Sequence, residues 1–212
     1  MFKKTIIFAG LIVLSIEMFA QAPFEGLIKM KEENKTFSET SDIDIYLKNG
    51  NARMDINLKT KEYSSILNMY FPKNGEIKMT ADVASKKMVY DIPYSSFANA
   101  EFSSAFSSEI TGQKATYAGY ECEEVVVRTQ NSLISCWVSK ATGIGPSSFP
   151  SIILGKGAFS ALQKNNIQGI PLKITIKDFA GNVISDQEIV SIQIQSVPDH
   201  NFIVPSEYTT AK

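Results

Sequence analysis

The sequence predicts an α+β fold that is mainly antiparallel β: a strongly curved sheet or incomplete β-barrel, with one or two helices covering its apolar face. Two observations support this prediction. Apolar and polar residues alternate over many short segments that end at turn residues, which is the pattern of half-buried strands. Two longer segments, 94–109 and 151–165, instead place apolar residues at roughly helical spacing.

The first 20 residues have the features of a secretory signal peptide. Two lysines precede an apolar run over 5–16, which is shorter than the roughly 20 residues that a membrane-spanning helix needs. Glu17 ends the run, and Ala20 supplies a small residue for cleavage. An uncleaved membrane anchor is the alternative that the short run disfavours. The sequence therefore predicts a signal peptide over 1–20, export to the periplasm or beyond, and a single β-rich domain over 21–212.

The charge balance makes nucleic acid an unfavourable partner. The formal net charge is −1, and removal of residues 1–20 changes it to −2, whereas nucleic-acid binding needs a basic face. Only Arg53 and Arg128 are arginine, so a dedicated phosphate clamp is poorly supplied. No second apolar stretch reaches membrane-spanning length, and we expect no transmembrane span in the mature chain.

The clearest local prediction is a β-hairpin over 41–58. Residues on either side of Asn49-Gly50 alternate between apolar and polar, and this dipeptide is the strongest short-range signal for a two-residue hairpin turn. Such a turn pairs Ile45 with Met54 and places both apolar sets on one face without a slip in register. It also places Asp44 opposite Asp55 on the other face.

Other segments repeat the strand pattern less cleanly. Strands are predicted over 24–31, 65–71, 76–80, 87–92, 120–129, 132–140, 171–179 and 183–197. A loop of about five residues after Phe71 would set Met69 opposite Met79. The two candidate helices contain serine or glycine, which lower helix propensity, so each has a loop as its alternative.

Two cysteines, Cys122 and Cys136, lie in the arms of a second predicted hairpin. A three-residue loop at 128–130 would set them opposite each other and allow a disulfide that closes a loop of about 15 residues, worth roughly 3 kcal/mol. A two-residue turn at 130–131 would instead pair Cys136 with Val125, and no bond would form. Both registers give largely apolar faces. Export favours disulfides, and on that ground we predict a bond.

No residue set resembles an active site. His200 is the only histidine and sits in a polar turn, so neither a histidine metal cluster nor an ordinary Ser-His-Asp arrangement is expected. Two groups of carboxylates are present, and both are interpreted as solvated strand faces: Glu121, Glu123 and Glu124, and Asp42, Asp44 and Asp55. The sequence thus predicts a protein that is not an enzyme, with no catalytic residue, no metal ligand and no cofactor.

Short motifs resemble a family of secreted bacterial proteins of unknown function. Gly119-Tyr120-Glu121-Cys122 resembles the Gly-Tyr-x-Cys strand of that family, and Trp137-Val138 its following strand. The ending from Pro198 through Phe202 and Pro205 to Tyr208 is similar to the family's Pro-x-x-Phe-x-x-Pro-x-x-Tyr, with one extra residue before Phe202. The family is similar in layout to the periplasmic lipoprotein-localisation carriers, a resemblance that implies a curved antiparallel sheet and a cleft for an acyl chain.

The leading functional prediction is an exported binding module for an apolar ligand, a lipid or a lipidated peptide, held between a curved sheet and its covering helices. The long apolar-faced sheet with few helices to cover it is the feature behind this prediction. Its methionines would suit an adaptable pocket, although ordinary core packing is the simpler explanation for any one of them. The alternative is a cell-envelope protein–protein interaction or structural domain with no small ligand. The sequence does not identify which residues would bind the ligand.

Overall fold

The computed structural model describes residues 24–83, 86–93, 107–144, 162, 167 and 169–210. Of these residues, 66% are in strands. The strands are β1 (Gly26–Asn34), β2 (Glu39–Lys48), β3 (Asn51–Lys59), β4 (Ser64–Phe71), β5 (Ile77–Val83), β6 (Lys86–Ile92), β7 (Ser107–Tyr117), β8 (Tyr120–Arg128), β9 (Leu133–Ser139), β10 (Ile170–Lys177), β11 (Val183–Ile194) and β12 (Thr209–Thr210). A short 3-10 helix, Asp199–Phe202, follows β11.

All twelve strands belong to one open sheet in the order β12-β6-β5-β4-β3-β2-β1-β11-β10-β9-β8-β7. Every neighbouring pair is antiparallel except β12 and β6, which are parallel. The first strand lies inside the sheet, where it pairs with β2 on one side and β11 on the other. At the other end of the order β7 touches β11, although three strands separate them in the sheet. This end of the sheet is therefore strongly curved.

The hairpin β2–β3 confirms the prediction made from Asn49-Gly50. Ile45 pairs with Met54, as the two-residue turn requires. Both turn residues have positive φ, 52° and 82°, which is the conformation that this dipeptide favours. The pairing of Met69 with Met79 across β4 and β5 is confirmed as well.

The two faces of the sheet differ in chemistry, and we name them accordingly. The apolar face carries one continuous core across all the central strands, including Ile28, Ile45, Leu172, Ile189 and Val125. Ile144 and Leu162, from the connection between β9 and β10, belong to the same core. The polar face carries the alternate residues of the same strands, most of them charged or hydroxylated.

The predicted α+β class with covering helices is wrong for the described residues. There, 66% of residues are in strands and 3% are helical, and residues 24–83, 86–93, 107–144 and 169–210 contain no α-helix. Residues 107–109 of the first candidate helix belong to β7. The rest of that segment, and the second segment apart from Leu162, lie outside the described residues. The predicted signal peptide over 1–20 also lies outside them.

Residues 195–210, which we call the strap, run from the end of β11 across the polar face to the far edge of the sheet. The strap begins beside Glu25, passes the 3-10 helix over β3, and ends as β12 on β6. It thus spans the polar side of β1 to β6. The strap contains the motif from Pro198 to Tyr208, but the sequence pattern did not indicate that this motif crosses the sheet.

Candidate functional site

A groove of about 400 Å³ lies on the apolar face at the curved end of the sheet. Its apolar lining comes from Ile110, Val125, Val138 and Ile167. Ile110 pairs with Val125 across β7 and β8, and it is 53% exposed although it belongs to the same face as the core. The groove is therefore a place where the apolar face of the sheet reaches solvent.

Charged side chains form the rim of this groove: Lys114, Glu121, Glu123 and Lys140. Lys114 donates a hydrogen bond of 2.9 Å to Glu121, and this contact raises the pKa of the lysine. Lys140 makes no ion pair with any residue in the described ranges. An apolar lining with a few charged groups at its mouth is the usual arrangement of a ligand site.

The groove depends on a strand that the sequence pattern concealed. Between Ile110 and Lys114 the pairing of β7 with β8 shifts, and Gly112 in this bulge has a φ of 74°. The four positions from Ile110 to Lys114 lie against two positions of β8, so the bulge holds two extra residues and keeps Ile110 and Lys114 on one face. The residues around Ile110 are polar, so no apolar alternation marks this strand. The preceding serine-rich segment then favours a helical interpretation that places Ile110 outside any strand.

On the polar face, Arg53 is enclosed by aromatic and acidic neighbours. Its guanidinium carbon lies 5.8 Å from the ring centre of Tyr46 and 5.4 Å from that of Tyr70, within the range of cation–π attraction. Two hydrogen bonds of 2.6 and 2.9 Å join it to the carboxylate of Asp55. A third, of 3.4 Å, reaches the backbone oxygen of Asn201 in the strap. Arg53 therefore links three strands to the strap.

The strap is anchored at its start by Glu25 and Lys48. The Glu25 carboxylate accepts the Val197 N–H at 2.7 Å, and this bond lowers the pKa of the carboxyl group. Lys48 donates to the Val197 oxygen at 2.8 Å and contacts Asp199 at 2.9 Å. The bond to Asp199 raises the pKa of Lys48. Val197 is 1% exposed, so this anchor combines burial with charge.

A second aromatic cluster lies on the polar face of β7 to β10. Tyr117 and Trp137 pack with ring centres 5.7 Å apart, and the Lys173 ammonium lies 5.6 Å from the Tyr117 ring. Lys173 is held in turn by Asp186 at 3.1 Å and Glu188 at 3.0 Å. These contacts connect β7, β9, β10 and β11 at the curved end of the sheet.

The two cysteines do not form the predicted disulfide: both thiols are free and buried. The turn between β8 and β9 takes the second of the two registers, with Cys136 opposite Val125. Cys122 is three residues from Val125, and an odd separation along a strand places the two cysteines on opposite faces. Burial raises the pKa of Cys136 to about 12, and that of Cys122 rises for the same reason.

Most of the carboxylates that the sequence singles out have a partner of their own. Asp44 pairs with Asp55 across the hairpin as predicted, but Asp44 contacts Lys29 and Asp55 contacts Arg53. Glu124 accepts hydrogen bonds from Ser135 and Thr111 on the neighbouring strands. Within the described residues no three histidine, cysteine or acidic side chains are grouped as metal ligands would be. His200 is exposed in the 3-10 helix.

Three of the methionines belong to the core and not to the groove, which is the simpler of the two explanations given by the sequence. Met30 and Met54 are buried in the core of the apolar face, and Met69 packs against that core from β4. None of the three lines the groove. No helix in the described part of the chain has the length and hydropathy of a membrane-spanning segment.

Over the described residues these features define a β-protein built on one open antiparallel sheet, with a groove on its apolar face and a strap across its polar face. The chain belongs to the family of domains of unknown function DUF4412, which matches residues 24–208. No curated protein matches the chain in sequence.

Several solved structures share the fold at low sequence identity. An uncharacterized conserved protein from Thermus thermophilus aligns with a TM-score of 0.57 and 10% identity, over 90% of this chain and 91% of that one. MucB of Pseudomonas aeruginosa, in its complex with MucA, aligns with a TM-score of 0.53 and 11% identity over 90% of this chain. The alignment spans 59% of that chain. These likenesses concern the fold alone.

A further alignment relates to the predicted likeness to lipoprotein carriers. A putative outer membrane lipoprotein-sorting protein domain from Vibrio parahaemolyticus aligns with a TM-score of 0.35 and 10% identity, over 84% of this chain and 87% of that one. A score of this size carries no argument about function.

Proposed function

We propose that this protein is an exported, non-enzymatic binding module that holds an apolar group, the acyl chain of a lipid or lipidated peptide, in the groove on the apolar face. The observation that supports the proposal most directly is the partly exposed Ile110 beside the buried Val125 and Val138. Exposed apolar surface that continues into a core favours the binding of an apolar ligand, because covering that surface removes it from water.

The size and rim of the groove agree with such a ligand. A volume of about 400 Å³ falls within the range of roughly 300–1,000 Å³ that small-molecule sites occupy. Lys140 at the rim is exposed, so it is available to an anionic headgroup while the chain lies against Ile110 and Ile167. Lys114 is less available because Glu121 already accepts its hydrogen bond.

A titration with a dansyl-labelled long-chain fatty acid tests the proposal. We expect saturable binding to the mature protein. Ile110→Lys should lower the affinity by at least about tenfold, because it places a charge against the acyl chain of the fatty acid. Ile66→Lys is the matched control, since Ile66 is also an exposed isoleucine on a strand but lies on the polar face away from the groove. Absence of saturable binding, or equal loss in both variants, would contradict the proposal.

A second candidate function is binding of a partner protein through the same groove. The fold is shared with MucB, which is found in a complex with MucA. Native mass spectrometry of protein purified without detergent separates the two candidates. A co-purified mass that extracts into organic solvent supports the lipid ligand, whereas a bare mass that shifts only with an added protein partner supports the second function.

A further inference from the structure

The strap consists of two parts that differ in how firmly they are held. Its proximal part, 195–202, is fixed by the buried Val197 and by the contacts of Glu25, Lys48 and Arg53 described above. The distal part, 203–210, makes few contacts and is mostly exposed, with Ile203 63% exposed. The two parts therefore have separate attachments to the sheet.

The distal attachments lie on two neighbouring side chains, Lys87 of β6 and Asp82 of β5, which interacts with Tyr208. The Lys87 ammonium lies 3.5 Å from Glu207 and 5.1 Å from the ring centre of Tyr208, and the Lys87 backbone oxygen accepts a hydrogen bond of 3.3 Å from Thr209. The side chains of Lys87 and Glu207 are 46% and 53% exposed. Exposed ion pairs and exposed cation–π contacts stabilise a structure only slightly.

The last strand adds little more to this attachment. β12 has only two residues, Thr209 and Thr210, which pair with Met88 and Val89 of β6. Such a short parallel ladder contributes few hydrogen bonds, and local openings of weakly held segments occur far more often than global unfolding.

Buried side chains lie beside this weakly held end even though they face the polar side of the sheet. Tyr70, Thr80 and Val89 are 3%, 0% and 8% exposed. Thr80 accepts a hydrogen bond from Asn68 within the sheet. Burial raises the pKa of Tyr70, and the nearby charge of Glu207 in the strap acts in the same direction. The polar face is therefore closed at this place by the chain's own C-terminal residues.

We propose that the distal strap, residues 203–210, is a latch that opens while the sheet and the proximal strap stay folded. Opening removes β12 and returns β6 to an unpaired edge, whose free N–H and C=O groups are complementary to another extended strand. Opening also exposes Val89 and Tyr70 to solvent. This proposal does not depend on the groove, which lies on the other face and at the other end of the sheet.

Thiol labelling of Val89→Cys measures the opening, with the two native buried cysteines as internal controls. Cys122 and Cys136 are 1% and 0% exposed and lie far from the strap in the strand order, so they report opening of the sheet itself. We expect the thiol at position 89 to react on the order of 100-fold faster than either native thiol, because local opening is far less costly than global unfolding. Mass spectrometry of peptides identifies the labelled site.

Two outcomes of this experiment would contradict the proposal that the distal strap opens on its own. Equal rates at position 89 and at Cys136 would show that the strap opens only with the whole sheet. A rate at position 89 equal to that of the same protein in denaturant would show that the latch is not closed in solution.

A second variant tests whether Lys87 holds the latch. Lys87→Met keeps the length of the side chain but removes its charge, and we expect it to speed labelling at position 89 by roughly three- to tenfold, with no change at Cys136. Lys59→Met is the matched control, because Lys59 forms an equally exposed ion pair with Asp42 outside the strap. Equal effects of the two variants, or a parallel rise at Cys136, would contradict this role.

Discussion

Arg53 and Asp55 are two residues apart on β3, and their side chains form a bidentate ion pair on the polar face, with N–O distances of 2.6 and 2.9 Å. Residues at this spacing share one face of a strand, so the pair needs no other element to form. Its surroundings come from further away: tyrosine rings from β2 and β4, and a backbone oxygen from the strap. The Arg53–Asp55 pair forms within one strand, and it helps to hold the strap where the strap crosses the sheet.

Arg53→Leu should destabilise the protein by about 2 kcal/mol at neutral pH, because it leaves the half-buried Asp55 carboxylate without its cation. Burial already raises the pKa of Asp55, and the arginine opposes this rise. The loss should therefore shrink as the pH falls through the raised folded pKa of Asp55, and it should be absent well below about 4, where the carboxyl group is protonated in both the folded and unfolded states. Urea unfolding at several pH values measures it. A double variant, Arg53→Leu with Asp55→Leu, should recover part of the stability, and a loss equal to that of the single variant would contradict the explanation.

The proximal strap should be stable over a window of pH that two groups define. Glu25 has a pKa below its ordinary value of 4.5, so its contribution is present above that value and is lost as the pH falls through the lower folded pKa. Lys48 has a pKa above its ordinary value of 10.5, so its contribution is present below that value and is lost as the pH rises through the higher folded pKa.

Hydrogen exchange of the Val197 amide measures this window. We expect protection at neutral pH in the wild-type protein and a clear loss of protection in Glu25→Gln, with the exchange of β9 unchanged. Protection that is the same in the variant would show that burial of Val197, and not the carboxylate, holds the proximal strap.

Cys122 and Cys136 should remain unlinked even under oxidising conditions. Their positions on opposite faces of the sheet exclude a bond without rearrangement of β8 and β9, and burial raises both thiol pKa values, which disfavours the reactive thiolate. Alkylation without reductant should add no group to the folded protein and two groups after denaturation. A denatured protein that accepts two groups only after reduction would contradict the structure.

Gly169→Ala should be much more damaging than Gly181→Ala. Both glycines have positive φ, 107° and 89°, so alanine is strained at each by about 1 kcal/mol. A Cβ at position 169 would also lie 2.2 Å from the Ser139 backbone oxygen, whereas nothing lies within 4 Å of one at position 181. We expect a loss of about 3 kcal/mol or more for Gly169→Ala, by analogy with overpacked cores. Thermal unfolding of the two variants checks this, and equal losses would exclude the close approach as the cause.

The parts of the fold that depend on neighbouring residues could be predicted from the sequence. The register of β2 and β3 follows from Asn49-Gly50, because the turn type alone determines which residues pair. Its consequence, the pairing of Asp44 with Asp55 on the polar face, was predicted for the same reason.

The cysteine hairpin shows where this reasoning fails. Both registers of β8 and β9 placed apolar residues on each face, because Val125, Val126 and Val127 are consecutive. Hydrophobic pattern selects a register only when the two faces differ. Export to an oxidising compartment favours the register that pairs the two cysteines, whereas in the structure Cys136 lies opposite Val125.

The strap and the groove could not be predicted because their contacts are distant in sequence and irregular. Lys48 and Val197 are 149 positions apart, and the strap has no period of its own. The groove depends on β7, where polar residues surround Ile110, so no apolar alternation marks the strand. An apolar-faced sheet with incomplete cover follows from the sequence pattern, but Glu121, Glu123 and Val125, which the sequence singles out for other reasons, were not assigned to a groove.

The central position of β1 has a consequence for how the chain folds. A chain that emerges from its N-terminus first can pair β1 with β2 at once, through contacts close in sequence. The other edge of β1 must remain open until residues 183–194 have been made, because β11 is its second neighbour. Until then two separate meanders, β1 to β6 and β7 to β10, each expose an edge strand. Joining them is a late, long-range step, and such steps are slow and vulnerable to association between chains. A factor that shields β1 during this interval would increase the yield of folded protein without altering its final stability.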